Sequence, residues 1–81
     1  MAEIEVRFYG GAAEAAATTM QMCQADDLTD LVAQLGREHG DRLRRILSIS
    51  SVLVDGLVQR PGSRAPLGDC RVDVLPPYAG G

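Results

Sequence analysis

The chain runs out in Gly80-Gly81, directly after Val74-Leu75-Pro76-Pro77-Tyr78-Ala79. Neither glycine carries a Cβ, so both can enter a channel too narrow for other residues, in conformations closed to them. A carboxylate on so thin a tether is placed to be the reactive group itself. An α-carboxyl is ionised at neutral pH, its pKa being about 3.5. In that form it is a poor electrophile and a poor nucleophile, so it must be activated before it reacts. The competing reading is a frayed terminus without a role.

The other candidates are weaker. His39 is the single histidine, and no local partner completes a triad with it. It falls in the last turn of an expected helix, where a cation suits the helix dipole. Cys23 and Cys70 have neither CxxC nor zinc spacing, and read as half-buried or buried thiols. Gly10-Gly11 and Gly80-Gly81 lead to no Lys-Ser/Thr, so neither is a phosphate loop. The acidic residues lack calcium-loop spacing. Met20 and Met22 read as core and edge filler rather than a ligand pair. No metal or bound cofactor is expected.

Eighty-one residues make one small domain. Apolar and charged contents of 46% and 23% are those of a globular chain. A net charge of −3 and the lack of a basic cluster argue against nucleic acid. All eight basic residues are arginine, so the chain offers no lysine as a Schiff-base nucleophile or isopeptide acceptor. With no membrane-length apolar run and no signal segment, a cytoplasmic protein is expected.

The elements that must position the tail follow from periodicity. Ile4, Val6 and Phe8 alternate with Glu3, Glu5, Arg7 and Tyr9, which predicts a strand with one wet face, ended by Gly10-Gly11. Ala12 to Ala17 favours helix but is short, so a turn or one helical turn is expected. Thr18 to Gln24 alternates and reads as a strand pairing back on the first. Asp27, with Asp30 three residues on, caps a helix carrying Leu28, Leu31, Val32 and Leu35 on one face. Gly36 weakens its last turn by about 1 kcal/mol relative to Ala, and Gly40 ends it. Asp41 is expected to cap a short second helical turn bearing Leu43, Ile46 and Leu47. Val52 and Val54 begin a third strand, Asp55-Gly56 turns it, and Leu57-Val58 returns. Pro61-Gly62 and Pro66 mark a loop, and Arg71 to Leu75 forms the last strand. Pro76-Pro77 cannot donate to a ladder and should send the chain away from the domain. Two hairpins about one helix, with first and last strands parallel, make an α+β β-grasp: a mixed four- to five-stranded sheet on one main helix. The expected division is a folded domain over 1–75 and an extended reactive tail over 76–81.

A β-grasp ending in free Gly-Gly resembles the ubiquitin-like sulfur carriers of the MoaD/ThiS family. The resemblance covers nearly the whole chain. It rests on Val6-Arg7-Phe8-Tyr9-Gly10-Gly11 with the alanine-rich turn after it, on Val52-Leu53-Val54-Asp55-Gly56, on Pro66-Leu67, and most specifically on Leu75-Pro76-Pro77-Tyr78-Ala79-Gly80-Gly81. That tail is most like that of the molybdopterin-synthase small subunit. The chain departs from the pattern in several places. Ala13 stands where the family often has Arg. Ala17 replaces a usual Gly, so its turn is expected to avoid positive φ. Gly68-Asp69-Cys70 is one residue short, and Tyr78 replaces a commoner Val.

The resemblance implies that an adenylating enzyme uses ATP to convert the Gly81 carboxylate to an acyl-adenylate. A sulfur nucleophile then displaces AMP and leaves a thiocarboxylate. Gly81 would carry the reactive carbonyl and Gly80 would give clearance. Leu75, Pro76, Pro77, Tyr78 and Ala79 would meet the partner. ATP belongs to the adenylating partner, and a synthase large subunit would be a second partner. Such a chain is a carrier or non-catalytic subunit of a sulfurtransferase rather than an enzyme alone. Other readings stay open: a carrier for thiazole, cysteine or natural-product sulfur, a protein modifier, or a non-catalytic binding module. The partner surface is expected on the exposed sheet face near the last strand, with Val74 or Leu75 outward beside some of Tyr9, Leu57 and Tyr78.

Overall fold

A computed structural model describes residues 1–77. The elements are β1 (Ala2–Phe8), α1 (Gly11–Ala16), β2 (Met20–Ala25), α2 (Leu28–His39), α3 (Asp41–Ile49), β3 (Ser51–Val54), β4 (Leu57–Gln59) and β5 (Cys70–Leu75). The described strands form one sheet in the order β2-β1-β5-β3-β4. β1 and β5 are parallel neighbours at its centre; the other pairs are antiparallel. The α+β β-grasp architecture expected from the sequence is present, with both hairpins joined in a single sheet.

Alternation does the sorting. Ile4, Val6 and Phe8 of β1 are buried, as are Val72 and Val74 of β5 and Val52 of β3. They meet Leu28, Leu31 and Leu35 of α2 and Leu43 and Leu47 of α3, all buried. The helical stripe at i, i+3, i+7 thus lies on the inner face of the sheet. Asp27 caps α2, its Oδ1 accepting from the Asp30 N–H at 2.7 Å. The return bond runs one residue further out than in a capping box, from the Asp26 N–H to Asp30 Oδ2 at 3.2 Å.

Several expectations change. The alanine-rich stretch is a six-residue helix, steadied by the packing of α1 against α3 rather than by its own length. Ala17 does not avoid positive φ: it sits at φ 58°, ψ 28°. This left-handed turn lets the Ala17 N–H reach Glu14 O at 3.2 Å and the Thr18 N–H reach Ala13 O at 3.3 Å. Asp41 is not a cap. Gly40, at φ 98°, precedes a full nine-residue α3, and Asp41 instead accepts from Arg44 Nη1 at 2.6 Å. Gly36 is buried within α2, and a Cβ there would lie 2.8 Å from Nε of the exposed, flexible Arg44 side chain, which can move aside. Met20 and Met22 are not core filler. They stand 45% and 55% exposed on the outer side of an edge strand, where no helix covers them. β5 begins one residue early, at Cys70.

The β3–β4 turn is as expected. Asp55 and Gly56 both have positive φ, 47° and 85°, the primed turn that matches strand twist. The Asp55 N–H donates to Arg71 O at 2.8 Å and its Oδ1 accepts from the Arg71 N–H at 2.9 Å, which anchors the turn to β5. No helix among the described residues is long and apolar enough to cross a membrane.

Candidate functional site: the root of the tail

β5 is the element that positions the tail, and its place is central. It is bonded on one side to β1 and on the other to β3, and Leu75 is its last paired residue, opposite Ser51. The Tyr9 N–H donates to Val74 O at 3.2 Å, carrying the β1 side of the ladder one step beyond β1 itself. Pro76 then follows with no N–H to offer, so pairing stops there. Pro76 is half-buried and Pro77 exposed. Tyr78, Ala79, Gly80 and Gly81 lie outside the described residues. Of the expected tail contacts, the structure therefore places Leu75, Pro76 and Pro77 together at the end of a central strand.

The strand's alternation decides what surrounds this root. Val72 and Val74 point into the core, whereas Arg71, Asp73 and Leu75 point outward. The outward apolar residue is therefore Leu75, half-buried, and not Val74. Asp73 is the unusual member. It lies on the outer face, yet its side chain is only 11% exposed. Burying a carboxylate demands partners. Arg71 Nε donates to Asp73 Oδ1 at 3.0 Å. The Tyr9 hydroxyl donates to the same oxygen at 3.4 Å and accepts from Arg71 Nη2 at 3.4 Å. The Asp73 hydrogen bond and charge push the Arg71 guanidinium pKa above its usual value. The result is a closed polar cluster beside the strand that launches the tail.

Sequence reasoning placed Tyr9 on the outer face but missed that Arg71 and Asp73 join it there. The signal was a lone carboxylate between two valines in a strand expected at the sheet centre.

The remaining candidates lie elsewhere. His39 Nε2 contacts Gln21 Oε1 at 2.7 Å, while Gln21 Nε2 donates to Glu38 Oε2 at 2.6 Å. His39 also meets the Phe8 ring edge-on, at 6.1 Å between centroids. It links α2 to β2 and the core, beyond a dipole role alone. Cys23 and Cys70 are free and half-buried. Both are register partners of Ile4, one on either side. Two strand spacings separate them, about 9–10 Å, beyond disulfide reach. Burial raises both thiol pKa values, helped by Glu38 at Cys23, against a Gln21 hydrogen bond, and by Asp55 and Asp69 at Cys70. Protonated thiols are poor nucleophiles. Among the described residues, no group of three or more His, Cys, Asp or Glu side chains could hold a metal ion.

No family model matches the chain, and no curated protein sequence matches it. Solved structures do. The small archaeal modifier protein 1 of Methanosarcina acetivorans superposes with a TM-score of 0.83 at 22% identity, covering 100% of this chain and 98% of that one. The corresponding protein of Haloferax volcanii gives 0.77 at 21% identity, over 98% and 99% of the two chains. A complex of subunits 1 and 2 of the molybdopterin-converting factor from Helicobacter pylori gives 0.70 at 26% identity, over 98% and 99%. Structural neighbours over nearly the full chain are thus molybdopterin-converting-factor and small-archaeal-modifier proteins, and the fold built above is the ubiquitin-like β-grasp that they share.

Proposed function

We propose that this chain is a sulfur carrier whose Gly81 carboxylate is activated by an adenylating partner and converted to a thiocarboxylate. The observation that carries the reading is the launch of the tail. A β-grasp body holds its last strand at the sheet centre and releases the chain at Pro76-Pro77, four residues before Gly80-Gly81 are complete. Reaction of the carboxylate with ATP forms the acyl–AMP bond and releases pyrophosphate. Hydrosulfide then attacks the carbonyl carbon, and AMP leaves with the electron pair of its bond. The body contributes no acid, base or metal to these steps. It contributes a recognition surface and a rigid exit. Prolines lower the backbone entropy lost when a partner orders the tail, a cost of about 1–2 kcal/mol per residue.

The molybdopterin route is the specific form of this proposal. Its support is the Pro-Pro-containing tail and the likeness, at 26% identity, to a molybdopterin-converting factor solved as a complex of two subunits. The partner there would be a synthase large subunit that supplies the catalytic groups. Incubation of the full chain with ATP, a verified adenylating enzyme and sulfide should replace one carboxylate oxygen by sulfur, read by intact mass. An unaltered mass, or a natural chain that continues past Gly81, overturns the proposal.

A second reading, a protein modifier, is favoured by the likeness to two small archaeal modifier proteins. It uses the same activation and differs in the acceptor, a lysine of another protein. A ladder of conjugates that vanishes on deletion of Gly81 would establish it.

A further inference from the structure

The two edges of the sheet are protected unequally. β4 is three residues long and runs straight into Arg60-Pro61. β2 is six residues long, and the stretch from Thr18 to Ala25 contains neither a charged residue nor a proline. Its pairing with β1 runs in unbroken register from Ala25 to Met20, without a bulge. Charge, proline, bulges and shortness are the usual guards of an edge strand. β2 has none of them.

The ladder shows which backbone groups face this edge. The Phe8 N–H donates to Thr19 O at 3.0 Å. Residues of an antiparallel strand alternate between bonding to the partner and turning away from it. Gln21, Cys23 and Ala25 therefore bond toward β1, and Met20, Met22 and Gln24 point their N–H and C=O groups outward. Two of these three are partly occupied. Thr18 Oγ1 donates to Met20 O at 3.0 Å and accepts from the Met20 N–H at 3.4 Å. Gln34 Nε2 donates to Gln24 O at 2.7 Å. Met22, between them, has neither group engaged among the described residues.

We propose that β2 pairs antiparallel with β2 of a second copy, about a two-fold axis through Met22, joining two sheets into one. A residue that faces itself across such an axis exchanges both backbone hydrogen bonds with its counterpart. The one unengaged outward residue of β2 therefore sits at its own complement. On the outer face Met22 lies beside Met22 and Met20 beside Gln24. On the inner face Gln21 lies beside Cys23. No charged residue belongs to the paired strands themselves; Glu38 of α2 lies over their inner face, held by Gln21 Nε2 at 2.6 Å.

The charge layout favours the same arrangement. Asp26, Asp27 and Asp30 cluster about the start of α2. Its last turn and the start of α3 carry Arg37, Arg42, Arg44 and Arg45 against Glu38 and Asp41, with Arg42 paired to Glu14 and Arg44 to Asp41, and so are net positive by a smaller margin. A two-fold antiparallel seam sets the acidic end of one copy beside the basic end of the other, which attracts them and selects the antiparallel orientation. β5 lies two strands inside β2, so its Leu75 ends stay clear of the seam and point in opposite directions in the two copies.

The test is the mass of the full chain by sedimentation, at concentrations up to about 1 mM, the range of small interfaces. The expected result is a particle of twice 8.6 kDa, with the Met22 amide exchanging more slowly as concentration rises. M22K places two ammonium groups on the axis and should weaken pairing at least tenfold. It should leave the circular dichroism and melting temperature of the dilute monomer intact, since the side chain is exposed. A monomer at every concentration overturns the proposal. So does a dimer indifferent to M22K, or one whose Met22 amide stays unprotected, as it would if another surface formed the contact.

Discussion

The two faces of the β1–β5 pair are built from alternating residues of the same strands, one step apart, and they have opposite characters. The inner rows hold Ile4, Val6, Phe8, Val72 and Val74, all at 2% exposure or less. The outer rows hold Glu5, Arg7, Tyr9, Arg71, Asp73 and Leu75, joined by ion pairs and a hydroxyl. The inner face is interchangeable in detail, since any apolar residues of the right volume would define the fold. The outer face is specific in detail, since its one buried carboxylate requires two named partners. A fold that presents a tail needs both: a body that resists unfolding and an exit strand whose wet side is held in one arrangement.

The largest effect expected from breaking this contrast is on the inner face. Phe8→Ala removes the biggest fully buried side chain and its contact with His39, and should cost about 3–5 kcal/mol in urea unfolding. A cost near zero would mean that the core does not rest on β1.

The outer face should respond less. Asp73→Ala deletes the shared acceptor of Arg71 and Tyr9. A charge-assisted bond can contribute more, but the Arg71 side chain is 48% exposed and solvent screens it. A loss on the order of 1 kcal/mol is expected, with the fold retained by circular dichroism. A loss as large as that of Phe8→Ala would erase the distinction between the faces.

A control lies off both faces. Ala17 holds a left-handed conformation at φ 58° that a Cβ disfavours. Ala17→Gly should therefore stabilise the chain, by about 0.5–1 kcal/mol in the same assay. Destabilisation would show that the Ala17 methyl packs usefully.

The smallest effect concerns the thiols flanking Ile4. Their folded pKa values are raised, so the native state holds these protons more tightly than the unfolded chain. Their contribution is complete below the ordinary thiol value of 9.0 and is withdrawn as pH climbs above it. The melting temperature should fall less steeply above that pH when both cysteines are replaced by alanine. Alkylation of the native protein at neutral pH should be slower than in denaturant. Equal rates would mean that the inner face is open at its β2 side.

Much of the fold was legible because its signals are local. The alternation of Ile4, Val6 and Phe8, the stripe of Leu28, Leu31 and Leu35, the Asp27 cap and the Asp55-Gly56 turn each need only neighbours in sequence. The candidate site was legible in part. Leu75, Pro76 and Pro77 could be read as an exit, but the Tyr9–Arg71–Asp73 cluster joins residues 62 to 64 positions apart, and no local pattern states that pairing.

What the amino-acid order determined on its own was which residues could share a face, because strand and helix periods are properties of the backbone. Which face would be covered was decided only in three dimensions. Met20 and Met22 have core chemistry, but they turn outward on an edge strand and stay wet. Asp73 has surface chemistry, but it stands on a central strand and is buried. Burial depends on what lies across the sheet and beside the strand, and both are set by chain segments far away in sequence.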